Sequence, residues 1–364
     1  MKVAIVHDWF VGGGAERVVY ELHKMYPKAP IYTAYCSPEW REKLSGTQVI
    51  TSYMQRWPFS KLRKFLPPLR AWWFSHLDLS DYDLVISSSG AEAKAVKVTA
   101  PAVHINYCHA PTHYYWSRYD DYIANPGFGK LDFLARLGLK LLLGPMRRWD
   151  YKAAQRPTYM IANSNYIKDE IKKYYGRDAE VVHPPVDVER FAGKAEEPRR
   201  GFVTAGRQTP YKKIGLAVEA CSQLNLPLVV LGSGPEHHKL QRLAGKSVTF
   251  LRGKSDEELA HYFQTSLAFI FPGIDDFGIA AVEALAAGTP VIAYKAGGAL
   301  DYIEPGKTGE FFGEQSAIGL AGALKKFKPE LFNHAEIQRN AAQFSPQVFS
   351  KKMKEFISKC LEQS

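Results

Sequence analysis

Asp275 and Glu283 stand eight positions apart, and Asp276-Phe277-Gly278 between them read as a loop turning into a helix. A helix start offers free backbone N–H groups and a positive dipole end, which suit a phosphate. The turn Phe277-Gly278-Ile279 would present those groups. Glu283, on the first turns of the same helix, can accept hydrogen bonds from a ribose diol. Upstream, Gly206-Arg207-Gln208-Thr209-Pro210-Tyr211-Lys212-Lys213 supplies a planar guanidinium fork and a compact ammonium. Both suit a diphosphate leaving group. Expelling a diphosphate builds negative charge on it, and fixed cations stabilise that charge most in the transition state. The plain alternatives are a capped helix with surface acids and a solvated basic loop.

Other candidates also follow short apolar runs. Gly12-Gly13-Gly14 comes after the first such run and before a helix, where glycine permits positive φ and close backbone approach to a ligand. It lacks Gly-x-Gly-x-x-Gly spacing, which argues against a dehydrogenase. Gly232-Ser233-Gly234 is a weak turn signal. Arg252-Gly253-Lys254 is a basic turn. His109 closes Val103-His104-Ile105-Asn106-Tyr107-Cys108. No Gly-x-Ser-x-Gly elbow supports a serine nucleophile. Adjacent His237 and His238 point apart on a helix, so the histidines form no metal set.

These candidates need strands to carry them. Val3–Val6, Leu84–Ile86, Val103–Tyr107 and Met160–Ala162 alternate with helical patterns, and a second series starts at Phe202–Ala205. It continues through Leu228–Leu231, Val248–Leu251, Ala268–Phe271 and Val291–Ala293. Such alternation predicts α/β domains with parallel sheets, whose ligands bind off the carboxyl ends of the strands. Two domains are expected, over 1–185 and 199–345, with a hinge near 185–198 and a linker at Ala195-Glu196-Glu197-Pro198. An amphipathic helix over 346–361 follows.

The 364 residues suffice for two cores. Four scattered cysteines suit a reducing cytoplasm. Met1-Lys2 runs directly into an apolar strand, so no leader is expected. The net charge of +10 invites an anionic partner. No nucleic-acid signature accompanies it. Two segments suit an anionic membrane surface instead. One is the basic-aromatic stretch 56–74. The other is 131–143, an apolar helix with Asp132, Arg136 and Lys140 on one stripe, expected to stop at Gly144-Pro145. Core packing explains the second equally well.

Taken together, these motifs resemble the retaining glycosyltransferases of family 4, which have the GT-B fold of two Rossmann-like domains facing across a cleft. The usual signature is Glu, seven residues, Glu; here Asp275 stands first. The resemblance implies that Asp275 meets the donor sugar, Arg207 and Lys212 the diphosphate, and Glu283 the ribose. It places His109 beside the transferred sugar, Gly13 and Gly14 in a cleft-facing glycine loop, and Gly232, Gly234 and Arg252 near the nucleotide. It implies no metal for holding the diphosphate, and a last helix that returns to the first domain. Tyr107-Cys108-His109-Ala110-Pro111 through Tyr119-Asp120-Asp121-Tyr122 resembles the mannosyltransferase branch building surface glycans. GDP-mannose and a glycan or lipid-linked acceptor are thereby implied; the segments 56–74 and 131–143 add the expectation of a cytoplasmic protein peripheral at the inner face of a membrane. A non-catalytic nucleotide-sugar binder and a sugar-nucleotide epimerase are the other readings.

Overall fold

The computed structural model describes every residue except 125, 127, 128, 194–196 and 364, together with all side chains but those of Lys64 and Lys130 within helical turns. Ala195 and Glu196 of the expected linker lie outside the described residues. The chain divides into two units, Met1–Pro185 with Phe349–Ser364, and Val186–Val348.

In the first unit, seven strands form one sheet: β1 (Val3–His7), β2 (Ile31–Thr33), β3 (Val49–Thr51), β4 (Leu84–Ser89), β5 (Val103–Cys108), β6 (Tyr159–Ala162) and β7 (Glu180–Val181). Their order is β3-β2-β1-β4-β5-β6-β7, with every pairing parallel. β4 and β5 are buried along their whole length, as a parallel sheet covered on both faces requires. The last helix, Pro346–Glu362, joins this core through Phe349, Met353, Ile357 and Cys360. Their three-to-four-residue spacing presents one apolar stripe. All four cysteines are buried and free.

The second unit holds β8 (Phe202–Ala205), β9 (Leu228–Leu231), β10 (Val248–Leu251), β11 (Ala268–Phe271), β12 (Val291–Tyr294) and β13 (Gly309–Phe312). Their order is β10-β9-β8-β11-β12-β13, again all parallel. Each sheet has a point where the winding reverses, between β1 and β4 in one and between β8 and β11 in the other. There the loops leaving neighbouring strands diverge and open a crevice.

One expected helix end is corrected. Residues 132–154 form a single helix, Asp132–Ala154, which continues through Gly144-Pro145. Proline at 145 removes one hydrogen bond, to the carbonyl of Leu141. Leu141 is 69% exposed, so water can replace that bond. Beyond the proline, Met146, Asp150, Ala153 and Ala154 are buried and hold the helix down.

Candidate active site

In the second unit the candidates converge on the β8/β11 switch point. The loop after β8 turns at Gly206 and leaves Arg207 exposed; its carbonyl accepts from the Thr209 amide at 2.8 Å, while its guanidinium has no hydrogen bond or ion pair among the described residues. Gln208 is buried and anchors the loop. Its Nε2 donates to the Gly232 carbonyl at 2.9 Å, and its Oε1 meets His237 Nδ1 at 2.7 Å. The Gln208 amide donates to the Ser233 carbonyl at 2.9 Å. The turn after β9 nests against it: a Cβ on Gly232 would stand 2.4 Å from the Gly206 carbonyl oxygen, and one on Gly234 equally close to that of Gln208. Glycine at 232 and 234 is therefore demanded by loop packing alone.

Lys212, at the end of the β8 loop, forms an ion pair with Asp275 Oδ2 across the switch point. The carboxylate is buried and the ammonium mostly so. Gly273 lets the β11 loop press on the Lys212 backbone, since a Cβ there would lie 2.8 Å from the Lys212 carbonyl oxygen. On the other side, Gly298 donates its N–H to the Asp275 carbonyl at 2.9 Å, and a Cβ on it would come 2.4 Å from the Phe277 Cα. Asp275 thus sits in a loop clamped from both flanks.

Gly278 begins the helix Ile279–Ala286 with φ of 96°, in the left-handed region. A Cβ there would lie 2.6 Å from the Tyr302 hydroxyl and 2.8 Å from the Phe271 ring, which leaves no room for a side chain. Phe277 is a core anchor between Tyr302 and Phe344, so only its backbone can face a ligand. Ile279 packs at the edge of the same core. Glu283 is buried, on the second turn of that helix. Arg252 follows β10, two strands from the switch point, or roughly 10 Å to the side. It is exposed.

In the first unit, the loops around the β1/β4 switch point are tied by carboxylates. Asp8 accepts N–H bonds from Gly90, Ala91 and Ala93 at 2.7, 2.9 and 2.7 Å. Glu16 folds back and accepts from Val11 and Gly12 at 3.1 and 2.8 Å. Of the three glycines only Gly12 adopts positive φ, so Gly13 and Gly14 are not required by backbone conformation. Glu16 also lies 3.0 Å from a Cβ on Gly13. His109 follows β5, half-buried, with Nε2 2.7 Å from the Ser88 hydroxyl and its carbonyl receiving the Asn163 amide at 2.9 Å. Behind it, burial and then Arg156 and Arg177 push the pKa of His104 down to about 3, so this ring stays neutral beside Ser87.

The segment Tyr114-Tyr115-Trp116 serves the fold. The Tyr114 hydroxyl donates to Glu92, and Trp116 Nε1 to Asp150. Arg70, from the basic-aromatic stretch, is also internal. It grips Glu92 at 3.1 and 2.8 Å and lies over the Trp9 ring. Trp57, Leu62, Phe65, Leu69 and Trp72 remain exposed, as do Phe133, Leu134, Leu137, Leu141 and Leu142 of the Asp132–Ala154 helix.

Gln208, Asp8, Glu16, Gly273 and Gly298 were not singled out from sequence. Strand-end position was the available signal for Asp8 and Gln208. Among the described residues, no three His, Cys, Asp or Glu side chains are grouped as a metal site.

Comparison with known proteins agrees with this architecture. The family model described as Glycosyltransferase Family 4 matches residues 12–190, and that described as Glycosyl transferases group 1 matches residues 185–355. The chain is 33% identical over 184 residues to the D-inositol 3-phosphate glycosyltransferase of Streptomyces bingchenggensis, covering 41% of this chain and 40% of that protein. Over 177 residues it is 29% identical to the GDP-mannose-dependent alpha-(1-6)-phosphatidylinositol monomannoside mannosyltransferase of Mycolicibacterium smegmatis, covering 40% and 46%. The chain spans about half the length of the curated relatives it matches. The crystal structure of Anabaena Alr3699/HepE in complex with UDP superposes with a TM-score of 0.70 at 18% identity, over 99% of this chain and all of that one. With two parallel α/β sheets of GT-B type and the two family models together spanning residues 12–355, the chain belongs to the family 4 glycosyltransferases.

Proposed function

We propose that the protein is a retaining glycosyltransferase that moves a mannosyl group from GDP-mannose to a glycan or lipid-linked glycan acceptor. The observation carrying this reading is the Lys212–Asp275 pair at the switch point, with exposed Arg207 and the Gly278 helix start beside it. Arg207 and Lys212 take the diphosphate, the Phe277–Ile279 amides assist them, and Glu283 binds the ribose. Asp275 faces the sugar hydroxyls. His109 serves the transferred sugar, Gly13 and Gly14 the phosphate side, and Gly232, Gly234 and Arg252 the rest of the nucleotide. The bond from the sugar's anomeric carbon to the phosphate oxygen breaks, and its electron pair stays on the phosphate. The acceptor hydroxyl attacks the same face and gives its proton to the departing phosphate. The choice of mannose rests on the mannosyltransferase relative.

Thermal melts against GDP, UDP, ADP and their sugars, with and without magnesium, test this reading. At a hundredfold excess over Kd a ligand stabilises by about 2.7 kcal/mol, or about 5–10 °C for a domain of this size. A shift with GDP and GDP-mannose, unaltered by magnesium, is expected. A shift confined to UDP or ADP compounds overturns the donor; no shift overturns the donor site.

We also propose that the exposed apolar face of the Asp132–Ala154 helix rests on anionic lipid. Phe133, Leu137 and Leu141 recur every four residues and so share one stripe. Exposed Lys140 and Arg148 lie on the same helix. Among the described residues no helix is long and apolar enough to cross a membrane. Each buried leucine contributes about 1.5–3 kcal/mol, and each basic residue near an anionic surface about 1 kcal/mol. The protein should therefore sediment with anionic vesicles. Glu at both Leu137 and Leu141 should abolish that at unchanged melting temperature. Equal sedimentation with neutral vesicles would contradict the proposal.

A further inference from the structure

Two buried polar atoms at the Asp275–Gly278 turn have no hydrogen-bond partner among the described residues: Asp275 Oδ1 and the Tyr302 hydroxyl. Folded proteins keep very few such groups, because each forfeits its solvation without return. Tyr302 is 3% exposed. Its ring is wedged edge-on between Phe277 and Phe344, with centroids 5.5 and 6.3 Å away. That packing fixes the hydroxyl beneath the turn, where a Cβ on Gly278 would come within 2.6 Å of it. Burial first, then Asp275 and Asp301, hold the phenol protonated, well above its usual range. The hydroxyl is therefore a donor lacking an acceptor. Asp275 Oδ1 is an acceptor lacking a donor, while Oδ2 is held by Lys212.

We infer that Tyr302 is a positioning residue for the nucleotide-sugar donor, its hydroxyl donating to Asp275 when Lys212 turns toward an incoming diphosphate. The inference rests on the donor-site reading above. A diphosphate carries more charge than a carboxylate and competes for the Lys212 ammonium. A buried carboxylate that loses its cation must gain another donor or resist the change. The Tyr302 hydroxyl is a buried side-chain donor at that turn with no partner among the described residues. Without it, binding must bear the whole cost of stripping Asp275.

Tyr302→Phe keeps the ring and removes only the hydroxyl. Its melting temperature without nucleotide should equal that of the wild type, because no bond is lost. Affinity for the nucleoside diphosphate that the wild type binds, among GDP, UDP and ADP, should fall about tenfold or more by calorimetry, the worth of a hydrogen bond to a charged acceptor. In an Asp275→Asn background the same change should have little effect. Unchanged affinity, an equal loss in both backgrounds, or a lower melting temperature without nucleotide would each overturn the role of Tyr302. Failure of the wild type to bind any of the three would instead sink the donor-site reading, and shows before any variant is made.

Discussion

Arg207→Ala is expected to lower kcat by about 10²–10³-fold, the usual worth of one fixed group aimed at developing charge, with no change in melting temperature. Lys212→Ala should lose as much turnover and also melt several degrees lower. The difference comes from their surroundings. The Arg207 side chain is exposed and its guanidinium has no protein partner among the described residues, so the fold does not depend on it. Lys212 compensates the buried Asp275 carboxylate, and its removal strands that charge. Because the lysine keeps some solvent access, the penalty is about 1–3 kcal/mol, or about 2–4 °C per kcal/mol in a domain this size. Adding Asp275→Asn to Lys212→Ala removes the stranded charge. The double variant should recover the melting temperature but not the turnover. Near-normal turnover in both single variants would remove the two cations from the reaction; recovery of turnover in the double variant would make Lys212 a purely structural group.

Much of the scaffold was legible because its strands are short, nearly continuous apolar runs, the mark of sheets buried on both faces. Leu228–Leu231 and Ala268–Phe271 are such runs. The missed strands lack that mark. β2 and β3 are three residues each, β7 only two, and β13 carries Glu310 among its phenylalanines at the sheet edge. Candidate residues were legible by type and strand-end position, but their pairings were not. Lys212 and Asp275 lie 63 positions apart, and only the β8/β11 crossover makes them neighbours. Basic character also misleads where a partner is distant. Arg70 reads as part of a surface patch, yet Glu92, 22 positions on, draws it inside. A glycine followed by proline reads as a helix end, yet buried residues on the next two turns carry the Asp132–Ala154 helix past it.

The largest loss of stability is expected from Lys94→Met or Asp150→Asn, alone. Their side chains are 1% and 0% exposed and form a 2.7 Å ion pair. Asp150 Oδ1 also accepts from the Thr112 hydroxyl at 2.8 Å. Oδ2 accepts from Trp116 Nε1 and the Tyr175 hydroxyl, each at 2.7 Å. One carboxylate therefore joins the Asp132–Ala154 helix, the turn after β4, the segment after β5 and the helix Asn165–Tyr175. Removing one partner of a buried pair costs about 3–5 kcal/mol. Lys94→Met combined with Asp150→Asn should cost less than the sum of the two, because neither change then strands a charge. Burial lowers the Lys94 pKa, but Asp150 more than offsets this and raises it above 10.5. A raised folded-state pKa means the contribution is complete below 10.5 and fades only as pH climbs through the folded value. The melting difference between wild type and Lys94→Met should therefore stay flat from about pH 6 to 9, well below the ordinary lysine range. A difference that shrinks as pH rises within that window would mean that the folded chain deprotonates Lys94 more readily than the unfolded one. Strict additivity of the two substitutions would show that the ammonium and carboxylate act separately, and that Thr112, Trp116 and Tyr175 alone hold Asp150.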